Sequence, residues 1–249
     1  MTPSPKPRSF ETRSAKIAAP DLTLVRSTSP LSISCDFDGT ITCDDTVQAM
    51  LSRFAGPQWL EIEAEWEAGR IGARVCLERQ TELLRVTPAE LGVWVDEREV
   101  DPRAQAFFAE CARLDLEVRI VSDGYDWVIR RVMARLGLQA LPVFANRLTS
   151  AGGDRWRLQS PFSAEGCASG TCKCAIVSKT QRRLHIGDGR SDMCVSDICE
   201  VVFAKASLLA TRTARGLPSN PFTSFADISA LLPTLVDQPG STSGETRGI

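Results

Sequence analysis

Short apolar runs alternate with helical patterns along most of this chain, and this alternation limits the folds that it can adopt. The runs end in polar turn residues, as buried strands of parallel sheets do, and they lie at 31–37, 116–122, 141–145, 184–186 and 201–204. Helical patterns at 102–114 and 127–136, and a short one from residue 173, separate them. Strands that alternate with helices predict an α/β fold with a parallel sheet and right-handed crossovers.

A long segment separates the first two predicted strands. It holds about eighty residues, far more than a crossover connection needs. Most of it has helical periodicity, broken by turn signals such as Gly56-Pro57, and the predicted helices lie at 46–54, 58–68, 71–84 and 88–95. We therefore expect a helical cap at 45–100, inserted after the first strand and large enough to cover a site at the edge of the sheet.

The rest of the chain divides into a core and two tails. Residues 31–44 and 101–236 are expected to form the α/β core, with a hairpin at 147–161 around a Gly-Gly turn. Residues 1–30 are rich in Pro, Ser and Thr and predict a disordered tail, with an organelle transit peptide as the alternative. Residues 237–249 are rich in Gly, Ser and Thr and predict a flexible C-terminal tail.

Composition excludes several classes of protein. The formal charge of −2 gives no electrostatic footprint for nucleic acid, and no run approaches the ~18 apolar residues that a membrane span needs. The single histidine, His185, excludes mechanisms that need two imidazoles, and its apolar neighbours predict a core position. The Arg182-Arg183 pair before it is predicted to be an exposed strand start. Nine cysteines without a signal peptide predict free thiols in a reducing cytoplasm.

Two carboxylates close the first predicted strand. Asp36 and Asp38 are two residues apart, so both side chains are expected to point into one pocket where the strand runs out into a loop. Close carboxylates repel unless a cation lies between them or one of them holds a proton. Mg²⁺ fits such a site, because it prefers carboxylates, phosphate oxygens and water. Gly39 allows backbone amides to approach an anion closely.

Other predicted strand ends supply the remaining groups. The fourth strand is followed by GDGRSD at 187–192, which holds two more carboxylates. Ser122 and the Gly124 amide follow the second strand, where they are expected to hold a phosphate oxygen. Lys173 or Lys179 is the cation that neutralises a transferring phosphoryl group. This set suits metal-assisted phosphoryl transfer through an aspartyl phosphate, whereas acyl transfer requires a Ser–His or Cys–His pair.

These segments resemble the four ordered motifs of the haloacid dehalogenase-like (HAD) phosphatases. The matching stretches are DFDGTIT at 36–42, Ser122-Asp123-Gly124, a basic residue near 173, and GDGRSD at 187–192, and the resemblance covers residues 31–235. The position of the helical insert is similar to that in the branch containing phosphoserine phosphatase. The resemblance implies a HAD-like core with a cap, and a Mg²⁺-dependent phosphatase.

The resemblance also implies roles for the acidic residues. Asp36 is expected to be the nucleophile, and Asp38 the general acid for the leaving group and then the base that activates water. Asp188 is expected to join Asp36 and the main-chain carbonyl oxygen of Asp38 on Mg²⁺. Asp192 is expected to orient the lysine or a metal-bound water.

Phosphate binding falls to a different set of residues. Thr40 and Ser122 are expected to bind the phosphoryl group, and Gly124 to offer its amide. Lys173 is preferred as the neutralising lysine because Gly170-Thr171-Cys172-Lys173 resembles a Cys-Lys segment of the methionine-salvage members, and Lys179 is the fallback.

Two substrates compete within this branch. Phosphoserine needs a cation in the cap for its carboxylate, but the alignable position looks like Leu77. The chain looks closer to the 2-hydroxy-3-keto-5-methylthiopentenyl-1-phosphate phosphatases of methionine salvage. The shared features are CDFDGTIT with Asp44-Asp45, AGPQW at 55–59, SDGYD at 122–126 and GTCK at 170–173. Asp45 is a possible contact for polar groups of the substrate.

Alternatives stay open at this point. The alternative to an enzyme is a non-catalytic regulatory protein that has the same fold and binds a phosphate ligand. For the enzyme, the predicted partner is a small-molecule phosphate ester, because a cap that closes over the site excludes folded proteins. No nucleic acid or membrane partner is predicted. The oligomeric state is either a monomer or a homodimer. Cys167, Cys172 and Cys174 are read as free thiols or a local redox pair, with a structural zinc site as the alternative.

Overall fold

A seven-stranded, mostly parallel sheet forms the centre of the molecule. The computed structural model describes residues 31–177 and 179–236; the predicted tails at 1–30 and 237–249 lie outside them. The strands are β1 (Leu31–Cys35), β2 (Glu117–Tyr125), β3 (Val143–Gly152), β4 (Arg155–Gln159), β5 (Arg182–Gly187), β6 (Val201–Ala204) and β7 (Asn220–Pro221). Their order is β4-β3-β2-β1-β5-β6-β7, and only the β3–β4 pair is antiparallel. This is the predicted α/β class.

Ten helices surround or extend the sheet in the described part of the chain. Four lie between β1 and β2: α1 (Thr46–Phe54), α2 (Trp59–Glu67), α3 (Ala73–Thr81) and α4 (Pro88–Asp96). The others are α5 (Ala104–Arg113), α6 (Asp126–Arg135), α7 (Lys173–Ile176), α8 (Met193–Ser196), α9 (Ala206–Ala214) and α10 (Phe225–Val236). None of these helices has the length and apolar character needed to cross a bilayer.

Strand β1 lies in the middle of the sheet, and all of its residues are buried. It pairs with β2 on one side and with β5 on the other, and Cys35 lies opposite Ile120 and Ile186. A strand covered on both faces requires small or apolar side chains, and LSISC meets that requirement. The loops that follow β1 and β5, together with the end of β2, therefore meet at one edge of the sheet, where ligands of parallel α/β folds bind.

The helical insert is fixed to the core along one side. Asp96 at the end of α4 receives two hydrogen bonds, of 2.8 and 2.6 Å, from Arg131 on α6. Trp156 on β4 donates from Nε1 to the carbonyl oxygen of Val86 at 2.8 Å. The start of α4 carries a capping box formed by Thr87 and Glu90. These contacts leave α2 and α3 to face the carboxyl edge of the sheet. The domain boundaries of the insert, 45–100, stay a prediction.

Arg182 does not lie where the sequence suggested. Only 4% of its surface is exposed, because the end of α10 covers the start of β5, and its Nη1 donates to the carbonyl oxygen of Leu235 at 2.9 Å. The expectation of an exposed strand start is therefore wrong for Arg182. It holds better for Arg183, which is half-exposed and pairs with Glu200 at 2.5 Å.

Candidate active site

A cavity of about 600 Å³ lies between the carboxyl edge of the sheet and the helical insert. On the core side it is lined by Asp36, Asp38, Ser122, Gly124 and Asp188. On the insert side it is lined mainly by α2, α3 and the turn between them, with Trp59, Glu63, Trp66, Ile71, Leu77 and Gln80. Predicted site residues from three separate segments of the core thus line one cavity.

Asp36 continues the line of β1 into this cavity. Its amide donates to the carbonyl oxygen of Ile186 at 2.9 Å, which extends the β1–β5 pairing by one residue. Its Oδ1 lies 2.9 Å from Nζ of Lys173, and the same Nζ lies 2.6 Å from Oδ1 of Asp192. Lys173 has 1% of its surface exposed, whereas Lys179 is exposed. The structure therefore brings Lys173, the preferred lysine, to Asp36.

The surroundings shift the pKa values of the three buried groups, Asp36, Lys173 and Asp192, in different directions. Burial and the nearby Asp192 raise the pKa of Asp36 well above its ordinary value, and Lys173 offsets this only in part. Burial opposes the charge of Lys173, but Asp192 and Asp36 outweigh it and raise the pKa of the ammonium. Burial also opposes the charge of Asp192, yet Lys173 and His185 lower the pKa of that carboxyl. Lys173 and Asp192 are thus a charged pair behind Asp36.

Asp38 occupies a different environment. Its Oδ1 accepts hydrogen bonds from the amide and the hydroxyl of Thr46, at 2.9 and 2.5 Å. Ser122 donates to its Oδ2 at 3.5 Å. Desolvation and the nearby Asp45 raise the pKa of Asp38 to about 7, against the lowering effect of Thr46. A carboxyl with a pKa near neutrality is suited both to give a proton and to take one.

Three carboxylates converge on one point. Oxygen atoms of Asp36, Asp188 and Asp192 lie within 4.8 Å of one another. Burial and Asp192 raise the pKa of Asp188 to about 6, although Thr40 donates to its Oδ1 at 3.2 Å. Asp192 is already saturated, because its two oxygens accept from Lys173, His185 and two main-chain amides. Asp36 and Asp188 are therefore the pair open to a hard divalent cation such as Mg²⁺.

Two glycines make room for these carboxylates. A Cβ atom at Gly39, where φ is +65°, would lie 2.5 Å from Oδ2 of Asp188. A Cβ atom at Gly124 would lie 2.3 Å from Oδ2 of Asp38. Both distances are far below van der Waals contact, so any larger residue at either position would displace a site carboxylate.

The predicted phosphate ligands do not all reach the cavity in the same way. Ser122 and Gly124 line it, and the Gly124 amide donates to the Ser122 hydroxyl at 2.9 Å. Thr40 is completely buried, and its hydroxyl donates to Asp188. Asp45 lines the cavity while capping α1 through the amide of Gln48, at 2.9 Å. The side chain of Thr40 thus supports a carboxylate, whereas Ser122 and Asp45 face the cavity.

Sequence reasoning named Asp192 as a residue that orients the lysine, but it missed the contacts of Thr46 and Asp123 that orient other parts of the site. Thr46 contacts Asp38, and no spacing rule links a helix start to a carboxylate eight residues earlier. Asp123 accepts from the amide of Thr171 at 2.9 Å and from Asn146 at 3.0 Å, which fixes the turn before Lys173. The polar residue inside Ser122-Asp123-Gly124 was the one available signal for this contact.

All nine cysteines are free thiols. Within residues 31–177 and 179–236, no three cysteine sulfurs lie within 4.8 Å of one another, and the only such group of metal-ligating atoms is the carboxylate trio. The predicted hard-oxygen site is thus the metal centre that the geometry supports.

Comparison with known proteins shows the family to which the chain is similar. The family model of haloacid dehalogenase-like hydrolases matches residues 33–196. Among curated proteins, a 2-hydroxy-3-keto-5-methylthiopentenyl-1-phosphate phosphatase from Brevibacillus brevis is 28% identical over 214 residues, covering 81% of this chain and 95% of that protein. The protein of the same name from Geobacillus kaustophilus is 30% identical, covering 81% of this chain and 94% of that protein.

Solved structures with a similar fold include phosphoserine phosphatases. A substrate-bound phosphoserine phosphatase superposes with a TM-score of 0.60 at 18% identity, covering 83% of this chain and 98% of that one. A probable phosphoserine phosphatase from Vibrio cholerae superposes with a TM-score of 0.65 at 16% identity, covering 85% of this chain and 67% of that one. At such identities the likeness concerns the fold alone.

Proposed function

The chain belongs to the haloacid dehalogenase-like hydrolases and is a phosphatase, and we propose that it hydrolyses a small-molecule phosphate monoester through a phosphoryl group carried on Asp36. One observation supports this proposal above the others: Asp36 lies against Lys173 in a cavity that it shares with Asp38 and Asp188. A phosphoryl group bound in this cavity would be close to the proposed nucleophile, the proton donor, the cation and the metal ligands.

The proposed reaction has two steps. In the first, a carboxylate oxygen of Asp36 attacks phosphorus, the ester P–O bond breaks, and Asp38 gives its proton to the leaving oxygen. In the second, Asp38 takes a proton from water, the water oxygen attacks phosphorus, and the bond to Asp36 breaks to release phosphate. The pKa of Asp38, about 7, supports both proton transfers.

Other residues hold the phosphoryl group in place. Lys173 neutralises its charge beside Asp36, and Ser122 and the Gly124 amide are donors on the core side of the cavity. Thr40 contributes by orienting Asp188. Charge neutralisation by preorganised donors is the main source of rate enhancement in phosphoryl transfer.

Mg²⁺ is the proposed cofactor. Asp36 and Asp188 would hold it together with the carbonyl oxygen of Asp38, and Asp192 would keep Lys173 and the loop after β5 in register. When bound, the ion supplies a positive charge that stabilises the transferring phosphoryl group. The raised pKa values of Asp36 and Asp188 support this proposal, because a divalent cation relieves the repulsion among these carboxylates.

We propose 2-hydroxy-3-keto-5-methylthiopentenyl-1-phosphate as the substrate, the compound in the names of the curated relatives. The insert wall of the cavity supports an apolar tail, because Trp59, Ile71 and Leu77 line it. Arg79 is engaged by Glu65 at 2.6 Å and does not line the cavity. Leu77, at the position that looks alignable with the carboxylate-binding cation, supports a substrate without a carboxylate.

Phosphoserine is the second candidate. Arg70 and Arg190 both line the cavity, and either guanidinium is a possible partner for a carboxylate. We place the enzyme in the cytoplasm, which the free thiols support, as a monomer or homodimer with residues 45–100 acting as its cap.

The test is phosphate release from a panel of phosphorylated metabolites that includes both candidates. We expect turnover with Mg²⁺, loss of turnover with EDTA and recovery on adding Mg²⁺ back, with kcat/KM for the methionine-salvage compound at least tenfold above that for phosphoserine. Full activity in EDTA, or in Asp36→Asn, would contradict the mechanism. A reversed substrate ratio would contradict the substrate assignment alone.

A further inference from the structure

His185 is the only histidine of the chain and is completely buried in β5. Both ring nitrogens have polar neighbours. Nδ1 lies 2.9 Å from the hydroxyl of Ser34 on β1, and Nε2 lies 2.9 Å from Oδ1 of Asp192. The sequence predicts a core position for this residue, and its burial agrees with that. The contact with Asp192 is a second property, which an apolar core residue would lack.

The direction of the hydrogen bond to Asp192 follows from the available protons. Lys173 keeps Asp192 ionised, so Asp192 accepts and Nε2 must carry the proton. Ser34 either donates to Nδ1 of a neutral ring or accepts from Nδ1–H while donating to the carbonyl oxygen of Leu184 at 3.3 Å. In both arrangements Nε2–H donates to Asp192.

Asp192 is held on every side. Its Oδ2 accepts from the amides of Asp188 and Gly189 at 3.2 and 3.1 Å. Its Oδ1 accepts from Lys173 at 2.6 Å and from His185. A Cβ atom on Gly187 would lie 2.5 Å from its Cγ, so the main chain packs directly against the carboxyl group. Removal of the imidazole would leave Lys173 as the one side-chain partner of Oδ1 among the described residues.

We propose that His185 is a positioning residue for the reaction, which acts through Asp192 on Lys173 and so on Asp36. This rests on the proposed function. A continuous series of contacts of 2.6 to 2.9 Å joins Ser34, His185, Asp192, Lys173 and Asp36. The imidazole fixes the carboxylate that fixes the ammonium, and the ammonium orients the nucleophile. His185 does not touch the cavity, so it does not act on the substrate itself.

Two substitutions separate positioning from packing. His185→Gln keeps an N–H group near the position of Nε2, whereas His185→Leu fills a similar volume without a donor. We expect His185→Leu to lower kcat by about 10- to 100-fold with KM changed less than about threefold, as for other residues that orient ligands. His185→Gln is expected to keep kcat within about fivefold, because the bond to Asp192 survives.

Val202→Ala is the matched control. Val202 lies opposite His185 in the β5–β6 register and is buried, but it donates no side-chain hydrogen bond. It should lower the melting temperature and leave kcat unchanged. Equal losses of kcat in Val202→Ala and His185→Leu, or equal losses in the Leu and Gln variants, would show a packing role and overturn the proposal.

A measurement without turnover tests the same contact. In untagged enzyme with ¹⁵N-labelled histidine, the single imidazole gives one pair of nitrogen signals, and we expect Nε2 to be protonated. An unprotonated Nε2 would overturn the proposal even if His185→Leu fails to fold. This result is independent of the substrate assay, where absence of turnover by the wild-type enzyme would contradict the proposed function instead.

Discussion

Lys173 is an ammonium group with 1% of its surface exposed, between two carboxylates. Burying a charge is costly unless partners compensate it, and removal of one partner leaves the others uncompensated. Here the positive charge of Lys173 compensates the negative charge of Asp192, and it also compensates Asp36 when no phosphoryl group is bound. In the proposed mechanism, its charge would also be available to the phosphoryl group on Asp36.

Lys173→Ala should therefore abolish most of the activity. We expect kcat to fall by about a thousandfold, because phosphoryl transfer depends on charge neutralisation. Lys179→Ala is the control, since Lys179 is exposed, whereas Lys173 is buried against Asp36. Initial rates of phosphate release from both variants decide the matter. A larger loss of activity in Lys179→Ala than in Lys173→Ala would show that Lys179, not Lys173, neutralises the phosphoryl group.

Asp38→Asn should separate proton transfer from binding. The amide keeps the shape of the side chain but cannot give or take the proton, so we expect kcat to fall by about 10²–10⁴-fold. The inhibition constant of inorganic phosphate should change less than about threefold, because Lys173 and Ser122 remain. Steady-state kinetics measure both quantities. Unchanged kcat with an alkyl phosphate would remove Asp38 from the mechanism.

At the scale of single residues, sequence reasoning found acids that line the cavity and named Asp192 behind them, but it missed the contacts made by Thr46 and His185. Asp36, Asp38 and Asp188 stand at strand ends in recognisable motifs, so their meeting at one edge of the sheet follows from the parallel topology. The hydrogen bond of Thr46 to Asp38 depends on how α1 enters the insert, which no local pattern encodes. The bond of His185 to Asp192 depends on side-chain rotamers in the packed core.

Among the elements, α2 and α3 contact the core at the mouth of the cavity. The guanidinium of Arg190, in the loop after β5, lies 4.8 Å from the centre of the Trp66 ring at the end of α2. The amide of Arg74 at the start of α3 donates to the carbonyl oxygen of Ala168 at 2.9 Å. These two contacts close the cavity between the insert and the core.

Arg190→Ala should loosen this closure. A cation–π contact at an exposed site is worth roughly 0.5–1 kcal/mol, so we expect KM for the preferred substrate to rise about two- to fivefold with kcat nearly unchanged. Arg79→Ala is the control, because Arg79 pairs with Glu65 on the same insert and does not line the cavity. Michaelis–Menten curves for the two variants are the measurement. Equal KM values would show that the contact does not govern substrate entry.

The elements differ in how well their sequences define them. The bounds of α1 agree with the prediction, because Asp45 caps its start through Gln48. Strand β3 runs on to Gly152, beyond the predicted 141–145, because its outer half pairs with β4 in the hairpin. The helices α9 and α10 and the two-residue strand β7 were not predicted. Tertiary contacts of Phe225 with Phe107 and Phe108 hold the start of α10 against α5.

For the whole molecule, the site acids link stability to pH and to metal. In the metal-free enzyme the pKa values of Asp38 and Asp188 are about 7 and about 6, above the value near 4 of an unfolded aspartate. Between the pKa of an unfolded aspartate and the raised pKa values of Asp38 and Asp188, the folded state therefore binds more protons than the unfolded state. Stability must then fall as pH rises through that window.

The melting temperature of EDTA-treated enzyme should accordingly be about 5 °C higher at pH 6 than at pH 8, since each kcal/mol is worth about 2–4 °C in a chain of this size. Adding Mg²⁺ at pH 8 should restore much of the difference, because the ion compensates the same carboxylates. Asp188→Asn should show a smaller pH effect and a smaller response to Mg²⁺. Thermal unfolding at both pH values is the measurement. A higher melting temperature at pH 8 than at pH 6 in EDTA would contradict the raised pKa values of these carboxyls.

In the proposed mechanism, Asp36 carries the phosphoryl group between the two steps. Asp38→Asn should trap this state when the substrate is p-nitrophenyl phosphate, because a good leaving group needs little protonation while release by water still needs the base. Acid quenching followed by peptide mapping is the measurement. We expect a hydroxylamine-sensitive phosphoryl group on Asp36, and none in the Asp36→Asn, Asp38→Asn double variant. A phosphoryl group on any other residue, or turnover that survives in Asp36→Asn, would contradict it.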